Sequence, residues 1–403
     1  MKKILVQKFG GSSLASTTQI KAVADLVARS SQDHSVIVVC SAMQGETDRF
    51  SQLAGQVSST LEGRDQDLLL SAGEQVSCAL LSLALSSLGL KAQSLNGRQA
   101  GIRASGVHGD GNITKVDKTK INKLLDAGVI PVVTGFQGVN QLGDLICLGR
   151  GGSDLTAVAI AAAFSAQECQ IYTDVDGVYT ADPHLEPHAE RYQYLGFDQM
   201  LQIAGSGGQV LQEKAASLAS STKQPTRIMS ASCPGSQGTL ISDYHQPLSR
   251  QVGIVYRQFQ QALSVTSKPH ECNFLSSVPQ KLNLKNPIVL HQGQDNGEVK
   301  NVFLHHQSSV TAIEKWLHQF TDFQPNKLTT ALCEVSVLGS LLDHNFYRQH
   351  VYDVLSNQSV LPCYRHHEHN RLICWFPATK LSVAIQHLHR FFFTNSLSLT
   401  SIK

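Results

Sequence analysis

The run Gly149-Arg150-Gly151-Gly152-Ser153-Asp154 brings three glycines, a guanidinium, a hydroxyl and a carboxylate together between a strand-like stretch, 145–148, and a strongly helical one, 155–166. Without Cβ atoms the glycines let the backbone turn sharply and let another molecule approach closely. A helix starting there aims its N–H groups and positive dipole end at the loop, and Arg150 offers a fork suited to a carboxylate or phosphate. Ser153 and Asp154 could equally be helix caps, but three glycines and an arginine together favour an anion-binding loop. A second polar cluster, Lys8-Phe9-Gly10-Gly11-Ser12-Ser13, follows the first strand-like run. Alone it decides nothing, because Gly-Gly after a strand can be a bare turn, and no GxxxxGK[ST] pattern occurs. Glu74 lies inside an apolar helical stretch, 65–87, three residues after Ser71. A carboxylate in such a place needs a cationic partner; a ligand ammonium is one reading and a Ser71-x-x-Glu74 capping box the other. Thr173, Asp174, Tyr179 and Asp182 gather polar groups after another strand-like run, 168–173. Asp176-Gly177 among them is also a hairpin signal, and the spacing of a calcium loop is missing.

These groups need elements to hold them. Residues 3–7, 17–29 and 35–40 read as strand, helix and strand, the unit from which parallel sheets are built. Open sheets of this kind place ligands at the carboxyl ends of their strands, where Lys8 and the small-residue loop Ser41–Asp48 fall. A helix is expected over 115–126, a buried strand over 129–134, helices over 197–204 and 210–220 around a glycine-rich break, and strands over 226–229 and 238–242. Beyond about Pro247 a strand–helix–strand–strand–helix pattern occurs twice. It runs through 251–266, 270–282, 287–291, 299–305 and 308–320, then 331–338, 343–356, 360–364, 371–376 and 379–392. His366-His367-Glu368-His369 falls in a turn of this pattern and reads as a solvated hairpin tip rather than a metal site.

Composition bounds the rest. At 403 residues the chain exceeds one ordinary core, so two or three domains are expected. A net charge of +2 implies no general attraction to nucleic acid or anionic membrane. Nine cysteines, odd in number and without a CxxC pair, suit free thiols in a reducing compartment. Lys8 interrupts the first apolar stretch, and Glu74 and Gln75 interrupt the apolar segment 68–90, so neither a signal peptide nor a membrane span is expected. A cytoplasmic protein is the expectation.

Taken together, Lys8-Phe9-Gly10-Gly11-Ser12-Ser13, Ser71-x-Gly73-Glu74, the Gly149–Asp154 loop and Tyr172-Thr173-Asp174-Val175-x-Gly177-Val178-Tyr179-Thr180-x-Asp182-Pro183 resemble the aspartokinases of the amino-acid kinase family. Val335-Ser336-Val337-Leu338-Gly339 and Leu388-His389-Arg390-Phe391-Phe392 resemble the paired ACT regulatory modules of those enzymes. The resemblance implies an α/β fold, an open and mostly parallel sheet sandwich over 1–245. Two ferredoxin-like βαββα modules would follow over 250–403, at about 250–325 and 328–395. It implies ATP with Mg²⁺, and transfer of the γ-phosphoryl group to the side-chain carboxylate of L-aspartate. Lys8, Gly10, Gly11 and Ser12 would hold the phosphates, with Asp154 orienting Lys8. Ser41, Thr47, Glu74, Arg150, Gly151, Gly152 and Ser153 would hold aspartate, Glu74 on its ammonium and Arg150 on a carboxylate. Thr173, Asp174, Tyr179 and Asp182 would line the nucleotide side, and no side chain is assigned to a metal. A homodimer or higher homo-oligomer and an amino-acid effector at the modules are further expectations. Three departures stand against the family pattern: Gln209 where a lysine is usual, His184 where a basic residue follows Asp-Pro, and no glycine-rich ligand loop in the first module. A weakened amino-acid-sensing relative, or another member such as a glutamate kinase, are the alternatives.

Overall fold

The structure is a computed structural model, and it describes residues 2–58, 63–233, 235–243, 251–259, 261–282, 288–293, 299–305, 313–319, 325–328, 331–339, 342, 345–357, 360–368 and 370–394. Two compact units are present: Met1–Val178 with Arg191–Gln246, and Tyr179–Glu190 with Pro247–Lys403.

In the first unit the β-branched runs β1 (Ile4–Phe9) and β2 (Ser35–Cys40) are buried almost throughout, as strands covered on both faces must be. Between them runs α1 (Thr17–Asp33), capped by Ser16, whose hydroxyl accepts from the Gln19 N–H at 3.2 Å. Its Ile20, Val23, Ala24 and Val27, spaced on one helical face, are buried. The chain continues through α2 (Glu46–Val57), α3 (Arg64–Leu70), α4 (Ala72–Ser87), β3 (Ala92–Leu95), β4 (Ile102–Ser105), β5 (Asn112–Val116), α5 (Thr119–Asp126) and β6 (Ile130–Thr134). Next come β7 (Gln137–Val139), β8 (Leu145–Cys147), α6 (Gly152–Ala163), β9 (Glu168–Thr173), β10 (Tyr194–Gly196), α7 (Phe197–Gly205), α8 (Glu213–Thr222), β11 (Thr226–Ser230) and β12 (Thr239–Ser242). Eight strands form one sheet in the order β10-β12-β11-β9-β1-β2-β6-β3, parallel except where β11 meets β12. A smaller sheet has the order β5-β4-β7-β8. Helix α6 is buried continuously from Gly152 to Ala161 and packs across β1, β2 and β9, so its apolar sequence is that of a central helix.

Several boundaries differ from the expectations. The single helix expected over 65–87 is broken at Ser71 into α3 and α4. The combined stretch Arg64–Ser87 is long and apolar enough to cross a membrane, but it carries the buried carboxylates Asp67 and Glu74, and α4 packs against α1, β3 and β6. Lys115 and Val116 end a strand rather than begin a helix, because β5 pairs with β4 across them. Residues 210–212 precede α8 instead of belonging to it.

The second unit holds two antiparallel four-stranded sheets. Its strands are β13 (Gln251–Phe259), β14 (Gln261–Ser267), β15 (Ile288–Gly293), β16 (Val299–His305), β17 (Pro325–Leu328), β18 (Leu332–Gly339), β19 (Tyr364–Glu368) and β20 (Arg371–Pro377). The sheet orders are β13-β18-β20-β19 and β15-β16-β14-β17. The strand that opens the repeat therefore pairs with the other half: Ile254 faces Val337 and Tyr256 faces Val335, while β14 turns to β16 and β17. Helices Asn345–Asn357 and Leu381–His389 bury Val351, Leu355, Ala384, Ile385 and Leu388 on one face of the first sheet. His366, His367 and Glu368 belong to β19 rather than to a turn, since they pair with Ile373, Leu372 and Arg371. His369 lies outside the described residues.

Candidate active site

Strand register assembles the site. Phe9 is opposite both Cys40 and Tyr172, and Cys40 is opposite Thr134, so β9, β1, β2 and β6 end side by side. Thr173, Lys8–Gly10, Ser41 and Gly135 consequently share one carboxyl edge. The Gly10 N–H donates to Tyr172 O at 3.0 Å and the Ser41 N–H to Phe9 O at 3.0 Å, continuing the ladders into the loops. Beyond Gly10, residues Gly11–Leu14 form a single 3-10 turn that includes Ser12.

The amino end of α6 meets this edge. Lys8 Nζ stands 2.6 Å from Asp154 Oδ1, both side chains about one-tenth exposed. The capping alternative for Asp154 is thereby excluded: the residue before the helix is Gly151, and no side chain caps it. Gly149 and Gly151 adopt φ of +80° and +67°, a conformation that L side chains rarely take. Arg150, between them, is exposed and makes no hydrogen bond or ion pair among the described residues.

Glu74 approaches from the other side. It is 4% exposed and accepts one hydrogen bond, from the Ala42 N–H at 3.1 Å, while its Oε2 has no partner among the described residues. Burial raises its carboxyl from an ordinary 4.5 to about 7, against the lowering effect of its own backbone N–H and that of Ala42. The capping-box alternative fails as well, because the Ser71 hydroxyl donates to Leu68 O and leaves α4 uncapped. Gly73 is required by proximity, since a Cβ there would lie 2.8 Å from the Ala42 Cβ. The Ser77 hydroxyl donates to Ser41 O at 2.6 Å and ties α4 to the same loop. Thr47 is half-buried in the first turn of α2, after the left-handed Gly45.

On the side expected to take the nucleotide, the Thr173 hydroxyl donates to Asp174 Oδ1 at 3.0 Å. Tyr179 and Asp182 belong to the second unit, where Asp182 accepts from the Tyr256 hydroxyl at 3.0 Å and from the His184 N–H at 2.9 Å. The Asp182 side chain is thereby tied to β13.

Three residues that sequence reading did not assign bear on this site. Asp67 is buried and accepts from the N–H groups of Gly109 and Cys147. Gln137, fully buried, donates to Ser71 O and accepts from the Gly97 N–H. Lys214 reaches Asp110 at 2.7 Å.

Lys8 and the amino end of α6 at a parallel-sheet edge, with the buried carboxylate of Glu74 on a neighbouring helix and the exposed guanidinium of Arg150 on the glycine loop, make an α/β unit suited to anionic molecules. Comparison with known proteins agrees. The amino acid kinase family profile matches residues 3–230. The aspartokinase of Pseudomonas aeruginosa is 35% identical over 369 residues, spanning 89% of each chain. That of Corynebacterium glutamicum is 45% identical over 241 residues, 59% of this chain and 57% of its own. The structure of Escherichia coli aspartokinase III with aspartate and ADP superimposes with a TM-score of 0.78 at 20% identity, over 97% of this chain and 100% of that one. The chain belongs to the amino acid kinase family and, within it, to the aspartokinases.

Proposed function

We propose that the protein transfers the γ-phosphoryl group of ATP to the side-chain carboxylate of L-aspartate. A carboxylate oxygen attacks phosphorus, the bond to the β-phosphate oxygen breaks, and ADP leaves with the electron pair. The nucleophile is already ionised, so no base is needed and catalysis is positioning plus charge neutralisation. Lys8, held by Asp154, with the Gly10–Ser12 turn neutralises phosphate oxygens, and Mg²⁺ arrives with the triphosphate. Thr173 and Asp174 flank the nucleotide. Ser41, Thr47 and the Gly151–Ser153 turn frame the acceptor.

The observation that carries this reading is the unpartnered Oε2 of buried Glu74, a group that an amino acid's ammonium would satisfy. ADP release with ATP, Mg²⁺ and a panel of amino acids tests it. Turnover with glutamate but not aspartate would sink the assignment. Because Arg150 has no hydrogen bond or ion pair to lose among the described residues, Arg150→Ala should fold as the parent does. It should raise the aspartate KM roughly 30-fold or more, the equivalent of about 2 kcal/mol for a desolvated charge pair. The ATP KM should stay unchanged in the same assay.

A weakened kinase is favoured by one observation. Gln209 is exposed ahead of α8, and the nearby ammonium of Lys214 is already bound to Asp110. Lys214 therefore does not replace the family's lysine. Gln209→Lys should raise kcat about tenfold, part of the roughly 10²–10³ that one transition-state stabiliser contributes. Steady-state kinetics with an unchanged kcat would contradict this.

For residues 250–403 we propose paired regulatory modules that seat an amino-acid effector and join two copies of the chain. Edge strands β13, β15, β17 and β19 support it, since each is paired on one side only among the described residues. Light scattering at micromolar concentration should give a dimer or larger species; a monomer would refute the proposal. All nine cysteines are free thiols, in keeping with the cytoplasmic placement we propose.

A further inference from the structure

We propose that Lys214 is a positioning residue for acceptor binding. Through Asp110 it holds the 109–111 turn against the Gly149–Gly152 loop and so sets where Arg150 stands. This deepens the proposed function and rests on it.

The Lys214 Nζ lies 2.7 Å from Asp110 Oδ1, 3.2 Å from Gly111 O and 3.5 Å from Leu148 O. Its three N–H donors thus have three acceptors, two on the 109–111 turn and one on the residue just before Gly149. The turn is also fastened directly, since the Gly111 N–H donates to Cys147 O at 2.8 Å. On its far flank buried Asp67 accepts from the Gly109 N–H at 3.1 Å and from the Cys147 N–H at 3.0 Å, and it stands 2.7 Å from His108 Nδ1.

The pinned turn forms a wall of the arginine loop. A Cβ added at Gly149 would sit 2.9 Å from Asp110 Oδ1 and 3.3 Å from Gly109 O. Gln212, the residue just before the helix that carries Lys214, stands so close to Gly151 that a Cβ there has no room. The 109–111 turn that Lys214 holds thus bears on Gly149, and Gln212, the residue before α8, bears on Gly151. Arg150 makes no hydrogen bond or ion pair among the described residues, so this backbone sets where it starts. The ammonium of Lys214, a third exposed, is directed at the acceptor-side loop and is neutralised there.

Steady-state kinetics of the full-length protein, with amide hydrogen exchange of residues 149–152, test the assignment. Lys214→Met should raise the aspartate KM about tenfold, a misplacement effect larger than an exposed ion pair alone gives. Its kcat and ATP KM should stay within about twofold of the parent. Lys214→Arg should restore the aspartate KM, and Asp110→Asn should raise it as Lys214→Met does. The double variant should be no worse than either single one, because the two side chains act as a unit. Exchange at 149–152 should quicken in Lys214→Met. A collapse of kcat with the aspartate KM unchanged, or unaltered exchange at 149–152, overturns the proposal. If the parent protein itself shows no turnover with aspartate, the functional reading fails instead, and the exchange measurement still decides whether Lys214 holds the loop.

Discussion

Lys8→Met will lower kcat by about 10²–10³ while the aspartate KM moves little. Negative charge spreads over the γ-phosphate oxygens as the phosphoryl group transfers, and a fixed cation there acts mainly on the transition state. Removing it also leaves Asp154, 7% exposed, without the ammonium 2.6 Å away. Breaking a buried pair from one side costs about 3–5 kcal/mol of stability. The two effects separate in a double variant. Lys8→Met with Asp154→Asn should recover most of the stability, because no uncompensated charge remains buried, and none of the turnover. Thermal or urea unfolding beside steady-state kinetics reads both. Recovery of turnover in the double variant would mean that Lys8 serves only to neutralise Asp154.

Glu74→Gln will make the free protein more stable and the site useless. The carboxyl stands at about 7 rather than 4.5, first because it is buried. The folded protein therefore keeps a proton that the unfolded chain releases between pH 4.5 and 7. Stability of the parent falls as pH rises through that window and levels off above it. Glutamine cannot ionise, so the variant's advantage should grow from nothing near pH 4 to about 3 kcal/mol at pH 8, for a displacement of about two and a half units. Aspartate affinity runs the opposite way. The parent should bind more tightly as pH rises towards 7, releasing a proton below it, and this dependence should vanish in Glu74→Gln. Calorimetry in buffers of different ionisation enthalpy measures the proton. An unchanged pH profile in the variant would place the ammonium elsewhere.

Both experiments concern residues that sequence reading could name, but it could not pair them reliably with their surroundings. Lys8 after a strand and Asp154 at a helix start were legible by type and position. The 2.6 Å contact between them needed β1 and α6 to meet, and only the resemblance to a family implied it. For Glu74, the need for a cationic partner was legible. The Ala42 N–H on one oxygen and the lack of a partner among the described residues on the other were not, because they depend on α4 approaching the end of β2. Nothing in the sequence around Lys214 tells which acceptors its ammonium meets. The helix begins only at Glu213, and the side chain meets a carboxylate 104 residues earlier in the chain.

What the sequence by itself determined was local. Alternating apolar runs, β-branched strands, glycines at positive φ and the spacing of Ile20, Val23, Ala24 and Val27 act over a few residues, where backbone sterics and side-chain periodicity decide. That was enough for the parallel sheet, the carboxyl-edge loops and the doubled pattern after Pro247. Only the tertiary structure decided the pairings made at long range. It sent β13 to β18 instead of to its own repeat, and Tyr179 and Asp182 to the second unit. It also brought Gln212 and Lys214 against the loop that carries Arg150. Such contacts are chosen by strand register, by the closure of long loops and by burial against distant partners. None of these leaves a signal within the few residues concerned.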